Sequence, residues 1–151
     1  MSSSYQYTEE QLNQIFITAN ENQQNGLLVE AQKGYLELIS LFSEAPILHY
    51  NLGLVYFEQD EYEKALESFT IASSLVPEDG DIIFNLALSQ KKCGDLSGAI
   101  ISYEKVLAAD PESVDALYNL AVCYRETRQY AIAIDTCLRV LALEPDYTPA
   151  I

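Results

Sequence analysis

The side chains of this sequence that could carry out chemistry are few and widely separated. Its single histidine is His49, and its three cysteines are Cys93, Cys123 and Cys137. A metal site or a nucleophile relay would need a second histidine or a close cysteine pair as partner. Three cysteines, each within an apolar helical pattern, indicate reduced thiols in the core of a cytosolic protein rather than a disulfide framework. We therefore expect no catalytic residue, no metal and no cofactor, and predict that this chain is not an enzyme.

Two acidic clusters, EQDEYE at 58–63 and PEDGD at 77–81, are the other candidates for a metal site. A calcium loop between two helices has about twelve residues with oxygen ligands at alternating positions, and neither cluster has this pattern. Acidic side chains at solvated helix ends explain both clusters, because the helix macrodipole favours negative charge near an N-terminus. His49 falls at a core-facing position of a helical pattern, and we predict a packing role for it.

Three asparagines are the most regular polar feature of the chain. Asn51 lies within the apolar stretch HYNLGLVYFEQ at 49–59, and Asn85 and Asn119 follow at intervals of 34 residues. An asparagine side chain has both N–H donors and a carbonyl acceptor, so a row of them can hydrogen-bond an extended peptide backbone without reading its sequence. The alternative interpretation gives each asparagine a bond between adjacent helices. The regular interval indicates an internal repeat.

Composition and charge restrict the class of partner. The chain has 151 residues, of which 49% are hydrophobic and 21% are charged, as in folded globular proteins. Its 23 acidic and 8 basic residues give a net charge of −15, which repels the phosphates of nucleic acid and of anionic membranes. The N-terminus lacks the pattern of a secretory signal, and no apolar run reaches the roughly 18 residues of a membrane span. We predict a cytoplasmic protein that binds neither nucleic acid nor membranes.

The elements that position these residues follow from the repeat. In each row of 34, apolar residues with i, i+3, i+4, i+7 spacing predict a first helix, and a second stripe predicts a second helix. The short polar turns QDEY, CGDL and TRQY make the two helices antiparallel, with Gly94 ending one helix and Asp95 capping the next. The rows, which need no gaps, are 12–45, 46–79, 80–113 and 114–147.

The two ends of the chain lie outside these rows. Residues 1–11 are predicted to be a partly helical leader. Residues 148–151 are predicted to start a further, truncated helix, in which Thr148 is the N-cap and Pro149 the first helical residue. A repeat begun but not completed predicts that the chain is the N-terminal piece of a longer protein.

Small residues and prolines recur in register with the helices. The small residues of the first and second helices include Gly53, Ala87 and Ala121, and Ala31, Ala65, Ala99 and Ala133, and the prolines are Pro77, Pro111 and Pro145. Together with the 34-residue period and the aromatic positions, they resemble the tetratricopeptide repeat. The resemblance covers residues 12–147. It implies an all-α fold, a right-handed α-α superhelix (solenoid) of stacked antiparallel helix pairs, with the first helices lining a concave groove.

The first and third rows depart from the family pattern. Thr18 and Asn22 occupy positions that are normally apolar, and Ser43 replaces the proline of the first row. A terminal repeat is expected to differ, because one of its faces has no neighbouring repeat. In the third row Gln90 replaces an aromatic residue, which is expected to loosen that hairpin.

The resemblance implies a peptide-binding groove formed by a second stripe on each first helix. Residues of this stripe are expected to face away from the second helix of their own hairpin, which leaves apolar and aromatic surface for a partner. The predicted peptide-binding residues are Tyr50, Asn51, Leu54, Phe57, Phe84, Asn85, Leu88, Lys91, Lys92, Tyr118, Asn119, Val122 and Arg125.

Basic residues are concentrated at one end of this stripe. Lys91, Lys92 and Arg125, with Arg128 in the turn beyond, are predicted to anchor a carboxylate or a phosphate of the ligand. The alternative is a solvated rim that forms ion pairs with Glu126 and similar neighbours.

One binding mode of the family is not expected. Chaperone-binding members hold a C-terminal carboxylate with three cations and two asparagines. The matching residues here include both asparagines but none of the cations; they are Phe16, Asn20, Asn51, Asp81 and Asn85.

The sequence thus predicts a protein–protein interaction module or scaffold that binds an extended peptide or partner segment in its groove. The alternative is the N-terminal arm of a larger enzyme, for example a methyltransferase or a glycosyltransferase, that recruits a substrate or partner. Self-association through the terminal repeats is a third interpretation.

Overall fold

Residues 6–150 are described by the computed structural model, and they form helices joined by short turns. Residues 1–5 of the predicted leader and Ile151 of the predicted final helix lie outside the described residues. The helices are α1 (Glu9–Gln24), α2 (Leu28–Leu41), α3 (Pro46–Glu58), α4 (Tyr62–Leu75), α5 (Gly80–Lys92), α6 (Leu96–Ala109), α7 (Val114–Glu126) and α8 (Tyr130–Leu143), followed by a 3₁₀ helix at Thr148–Ala150. The predicted all-α fold is confirmed.

The bounds of the helices repeat with the period of the sequence. Helices α3, α5 and α7 begin at residues 46, 80 and 114, and α4, α6 and α8 begin at residues 62, 96 and 130. Helix α1 starts earlier within its repeat, because Thr8 and Gln11 form a capping box. The backbone N–H of Gln11 donates to Thr8 Oγ1 at 3.2 Å, and the backbone N–H of Thr8 donates to Gln11 Oε1 at 2.8 Å.

The turn inside each hairpin contains one residue in the left-handed conformation. The predicted CGDL turn is of this kind, because Gly94 follows the end of α5 with a φ of 85°. Asp95 then caps α6, since its carboxylate accepts a hydrogen bond from the Gly98 amide at 2.9 Å. Gly26, Asp60 and Arg128 are the other left-handed turn residues, and with Gly94 the four recur at intervals of 34.

The helices form two compact units, one ending at Leu75 and one beginning at Val76. In the first unit α1 packs against α2, α2 against α3, and α3 against α4. In the second unit α5 packs against α6, α6 against α7, and α7 against α8. In the part of the chain that is described, no helix combines the length and the apolar character needed to cross a bilayer.

Small residues allow the paired helices to approach closely. A Cβ atom on Gly53 would lie 2.7 Å from the ring of Phe69, which is closer than side-chain atoms pack. Ala87 and Ala121, which correspond to Gly53 in the second unit, are likewise buried. At Gln90, where the aromatic residue is missing, Ser102 Oγ donates to Gln90 Oε1 at 2.7 Å and links α5 to α6. A hydrogen bond between side chains therefore occupies the position at which the second and fourth rows have Tyr56 and Tyr124.

Candidate functional site

The predicted peptide-binding residues lie on α3 in the first unit and on α5 and α7 in the second. Each of them is half-buried or exposed, and none belongs to the fully buried core. In the second unit Phe84, Leu88 and Tyr118 pack at the edge of the core with part of their surface accessible. The stripe therefore offers apolar surface that is anchored on one side.

Two aromatic rings of the stripe, those of Tyr50 and Phe84, contact the second helix of their own hairpin. The ring centroids of Tyr50 and Phe69 lie 5.9 Å apart, and those of Phe84 and Tyr103 lie 5.7 Å apart. The expectation that these residues face away from their hairpin partner is therefore wrong for the rings. An aromatic side chain next to the core stripe is long enough to reach across the interface, and edge-to-face packing stabilises the contact.

Tyr118 packs on a different ring, because Cys137 occupies the position of α8 that corresponds to Phe69 and Tyr103 in the other hairpins. Its ring packs at 5.4 Å against that of Tyr147, which follows α8. Phe57 also contacts a ring in its own hairpin, that of Tyr62 at 5.0 Å. The aromatic members of the stripe are thus held in fixed positions rather than projecting into solvent.

The three asparagines do not have the same hydrogen bonds. Asn51 Nδ2 donates to Oδ1 of Asn20 on α1 at 3.3 Å, which is the bond between helices of the alternative interpretation. Asn85 Nδ2 donates to the Asp81 carbonyl at 2.9 Å, and Asn119 Nδ2 donates to the Asp115 carbonyl at 2.8 Å, each within its own helix. Asn85 and Asn119 therefore share a bond within their own helix, whereas Asn51 is part of the packing of the first unit.

Asn20 is a residue whose role the sequence did not reveal. Its Oδ1 lies 2.5 Å from the hydroxyl of Tyr35 and accepts the bond from Asn51, so it joins α1, α2 and α3. The signal was present in the sequence, because Asn20 is polar where the other rows have an aliphatic residue, and Tyr35 adds a hydroxyl that needs a partner. Only their distance in space shows that the groups satisfy each other.

The basic residues lie at the C-terminal ends of α5 and α7. Lys91 and Arg125 stand in the last turns, where the helix macrodipole favours positive charge. Among the described residues, neither Arg125 nor Arg128 forms an ion pair with Glu126. The contact with Glu126 that the alternative interpretation expects is therefore not present for these two arginines.

The surroundings of the buried Cys123 thiol do not favour a reactive role. Burial raises the pKa of the Cys123 thiol, although the nearby charge of Lys91 acts in the opposite direction. A thiol with a raised pKa stays protonated and is a poor nucleophile near neutral pH. Cys123 is fully buried within the core of the second unit, which indicates a packing role.

His49 has the packing role that its position predicts. It is buried in α3, and its Nε2 lies 2.7 Å from the backbone carbonyl oxygen of Ser43. Within residues 6–150 no group of three or more histidine, cysteine or acidic side chains is arranged to hold a metal ion. The site is therefore a surface of rings, amides and cations.

Known proteins resemble the chain at the level of the repeat and of the fold. Two family models described as tetratricopeptide repeat match it, one over residues 92–151 and the other over residues 46–79. No curated protein sequence matches the chain.

Several solved structures share the fold. The MamA 41-end structure from Desulfovibrio magneticus RS-1 has a TM-score of 0.85 and 17% identity, over 92% of this chain and 78% of that chain. A tetratricopeptide repeat protein from Parabacteroides merdae has a TM-score of 0.85 and 22% identity, over 92% and 56%. The first repeat domain of Spaghetti (RPAP3), bound to the HSP90 peptide SRMEEVD, has a TM-score of 0.75 and 18% identity, over 83% and 99%.

Likeness at these identities concerns the fold, and it confirms the predicted helical repeat solenoid. The family models between them cover more than half of the chain, and the helices recur at their 34-residue period. This chain belongs to the tetratricopeptide repeat family.

Proposed function

We propose that this chain is a protein-interaction module that holds an extended segment of a partner protein along the first helices of its second unit. The observation that carries the proposal is the matching register of α5 and α7. Each helix places a ring, an asparagine, an aliphatic side chain and a cation at equivalent positions, all half-buried or exposed. These residues are Phe84, Asn85, Leu88 and Lys91 on α5, and Tyr118, Asn119, Val122 and Arg125 on α7.

The asparagines are suited to contact a peptide backbone. The bonds from Nδ2 to the carbonyls of Asp81 and Asp115 hold each side-chain amide in one orientation. An amide oxygen has two lone pairs, so the oxygens of Asn85 and Asn119 can accept hydrogen bonds from peptide N–H groups. Each such bond contributes about 0.5–1.5 kcal/mol net, so the rings and cations must supply the selectivity.

The rings supply a rigid apolar surface. Because Phe84 packs on Tyr103 and Tyr118 packs on Tyr147, little side-chain entropy is lost when a partner covers their accessible edges. Aromatic and aliphatic side chains anchored in this way are typical of the residues that dominate binding free energies. We infer that the bound segment places apolar side chains against Phe84, Leu88 and Tyr118.

The charge of the stripe favours an acidic segment. Lys91 and Arg125 lie at the basic end of the stripe, on a chain whose net charge is −15. A carboxylate of the ligand would therefore be attracted to these two cations. The RPAP3 repeat domain bound to SRMEEVD is an example of this fold with a peptide that contains acidic residues. Asp81 stands where chaperone-binding members have a cation, so we expect a different set of contacts here.

A peptide selection tests the proposal. A displayed library of random heptapeptides is selected on the purified chain, and the affinity of the enriched peptides is measured by fluorescence anisotropy. We expect enrichment of peptides that combine acidic with aromatic or aliphatic residues. The double variant Asn85→Ala, Asn119→Ala should weaken binding about tenfold, because two hydrogen bonds are lost. Asn13→Ala, which removes an exposed asparagine of α1, is the matched control and should bind like the wild type.

Three results would contradict the proposal. Equal affinity of the double variant and the wild type would remove the asparagines from the site. Enrichment of basic peptides, or affinity unchanged by Lys91→Ala with Arg125→Ala, would remove the proposed role of charge. Circular dichroism of each variant shows whether the fold is retained, so that a loss of binding can be assigned to the altered side chains.

A further inference from the structure

Charged side chains of opposite sign occupy the two ends of the stripe in the second unit. Asp81 and Asp115 stand in the first turns of α5 and α7, and Lys91 and Arg125 stand in the last turns. Lys91 is half-buried, and the other three are exposed. Each aspartate lies ten residues before the cation of its own helix, so the arrangement is the same on both helices. The stripe therefore changes from acidic to basic along the helix axis, and not from one helix to the other.

The aspartates lie on the same side of their helices as the rings of the stripe. Asp81 precedes Phe84 by three residues, and Asp115 precedes Tyr118 by three, a spacing that places two side chains on one helix face. For α7 the electrostatics agree with this placement. The ring of Tyr147 packs on Tyr118, and the pKa of the Tyr147 phenol is raised by burial and also by the Asp115 carboxylate. The acidic end of α7 is therefore close to the rings.

The basic end of α5 lies close to α7. Burial raises the pKa of the Cys123 thiol on α7, and the positive charge of Lys91 on α5 acts against this rise. Because Coulomb interactions weaken with distance, this effect requires the Lys91 ammonium group to lie near α7. Arg125 stands in the last turn of α7, so the two cations belong to the same end of the stripe.

The direction of this change in charge indicates how a bound segment lies on the two helices. A segment that crossed α5 and α7 at one level would meet one kind of group only: the aspartates, the rings, the amides or the cations. A segment that lies along the helix axis meets all four. The proposed function uses rings, amides and cations together, and it therefore requires a segment along the axis. If that segment were acidic throughout, it would be attracted to the cations but repelled by Asp81 and Asp115.

The length of the stripe determines the spacing of charges in such a segment. Ten residues of α-helix rise by about 15 Å, which separates each aspartate from its cation along the axis. An extended chain advances about 3.3 Å per residue, and its side chains alternate between two faces. Two side chains on one face that are four residues apart are thus about 13 Å apart, and the flexible ends of lysine and glutamate can span the remaining distance.

We propose that the second unit selects extended segments in which a basic and an acidic residue are about four residues apart, with an apolar residue between them. Asp81 and Asp115 bind the basic residue. Lys91 and Arg125 bind the acidic residue, and the apolar residue packs against the accessible edges of the rings. This selectivity rests on the proposed function, to which it adds the contact at the acidic end and the orientation of the segment.

The displayed library of random heptapeptides is the probe for this selectivity. It is selected in parallel on the wild-type chain and on the double variant Asp81→Lys, Asp115→Lys, and the enriched pools are sequenced. On the wild type we expect lysine or arginine four residues from aspartate or glutamate about fivefold more often than in the unselected library. On the variant we expect acidic residues at both positions, because the charge at the acidic end has been reversed.

An enriched peptide with both charges is then measured by fluorescence anisotropy at low salt. Replacing its basic residue with glutamate should weaken binding to the wild type about fivefold, and the Asp81→Lys, Asp115→Lys chain should restore the affinity. The matched control is Glu67→Lys with Asp135→Lys, which changes the net charge equally at exposed positions of second helices and should leave the affinity of the original peptide unchanged. Asp81→Asn with Asp115→Asn replaces the lysine variant if circular dichroism shows that lysines in the first helical turns disturb the fold.

Two results would overturn this selectivity and leave the proposed function in place. One is the enrichment of acidic peptides without a basic residue at the expected spacing. The other is an equal change of affinity in the stripe variant and in the Glu67→Lys, Asp135→Lys control, which would assign the effect to net charge. Failure to enrich any peptide would overturn the proposed function as well. Enrichment of the spaced charge pair on the wild type, together with its replacement by two acidic residues on the variant, would support the proposed orientation.

Discussion

At the scale of single residues, one position of the repeat shows how a side chain can be satisfied in one unit and unsatisfied in the other. The hydroxyl of Tyr35 lies 2.5 Å from Asn20 Oδ1 and 2.9 Å from Gln23 Oε1. Tyr103 occupies the same position two rows later and is fully buried, but its hydroxyl has no hydrogen-bond partner among the described residues. The cause is visible in the sequence, because Leu88 and Lys91 stand where Asn20 and Gln23 stand in the first row.

Removing this unsatisfied hydroxyl should stabilise the protein. We expect Tyr103→Phe to raise the free energy of unfolding by about 1 kcal/mol, because a buried hydroxyl without a partner carries an uncompensated desolvation cost. Phe69 at the same position of the second row shows that the repeat accepts phenylalanine. Urea unfolding at pH 7 measures the change. Tyr35→Phe is the matched control and should lower the free energy of unfolding by about 1 kcal/mol, since it removes a satisfied hydroxyl. Equal effects of the two substitutions would contradict this interpretation.

The buried tyrosines should also set the alkaline limit of stability. Burial raises the pKa of Tyr103 above its usual range and raises that of Tyr124 to about 12, with a further contribution from the hydrogen bond to Glu104. In the unfolded chain both phenols ionise near pH 10, whereas the folded protein keeps them neutral. The contribution of these two tyrosines to the free energy of unfolding is therefore complete below about pH 10. It is lost as the pH rises toward their pKa values in the folded protein.

Urea unfolding between pH 8 and 12 tests this expectation. The free energy of unfolding should begin to fall at about pH 8.5, where the Cys123 thiol ionises in the unfolded chain, and should fall more steeply above about pH 10, where the tyrosines do. Tyr103→Phe should make that fall less steep, since one raised phenol is absent. A curve of the same slope for Tyr103→Phe and the wild type would be evidence against the role of Tyr103.

At the scale of the helical elements, the left-handed turn residues determine how each hairpin closes. The four rows fill this position with Gly26, Asp60, Gly94 and Arg128. Glycine adopts a positive φ without steric cost, whereas a side chain there is strained. We expect Arg128→Gly to raise the free energy of unfolding by up to about 1 kcal/mol and Gly94→Ala to lower it by about 1 kcal/mol. Thermal unfolding of both variants measures the effects, and the same sign for both would show that the turn conformation is not their cause.

The close crossing of α3 and α4 leads to a second prediction for the helical elements. A methyl group on Gly53 would lie within 2.7 Å of the Phe69 ring, so we expect Gly53→Ala to lower the free energy of unfolding by about 1–3 kcal/mol. Gly80→Ala is the matched control. A Cβ atom there meets no heavy atom within 4 Å at the start of α5, and the substitution should be neutral or slightly stabilising. Chemical denaturation that showed equal losses for both would refute a packing role for Gly53.

At the scale of the whole molecule, the main feature is the large excess of acidic over basic residues. The chain has 23 acidic and 8 basic residues, so most of its carboxylates have no cation available to pair with. Repulsion among the excess carboxylates destabilises the compact state. Salt weakens this repulsion, because the Debye length falls from about 30 Å at 0.01 M to about 8 Å at 0.15 M.

We therefore expect the Tm to rise by about 2–4 °C between these salt concentrations, which corresponds to about 1 kcal/mol for a chain of this size. Differential scanning calorimetry at constant pH is the measurement. Replacing two exposed acids, Glu67→Gln with Asp135→Asn, should raise the Tm at low salt and change it little at high salt. A Tm that falls with added salt would mean that the attractive pairs outweigh the repulsion.

Much of the fold and part of the candidate site could be predicted from the sequence. The period of 34 predicted the paired helices and their turns, because core-facing residues must recur wherever the same hairpin is built. The same reasoning could not predict that the ring of Tyr50 packs on Phe69 or that Tyr147 replaces a missing ring beside Tyr118. Those contacts depend on the distance between two helices and on side-chain length, which residue spacing does not contain.

The helical repeat and the hairpin turns could be predicted from the sequence alone, since each depends on local spacing and residue type. The tertiary structure alone decided how polar groups pair. It assigned Asn51 to a bond with Asn20 and left the Tyr103 hydroxyl without a partner among the described residues. The physical reason is that periodicity identifies the side of a helix on which a residue lies, whereas hydrogen bonds and burial depend on which other helix is there to meet it.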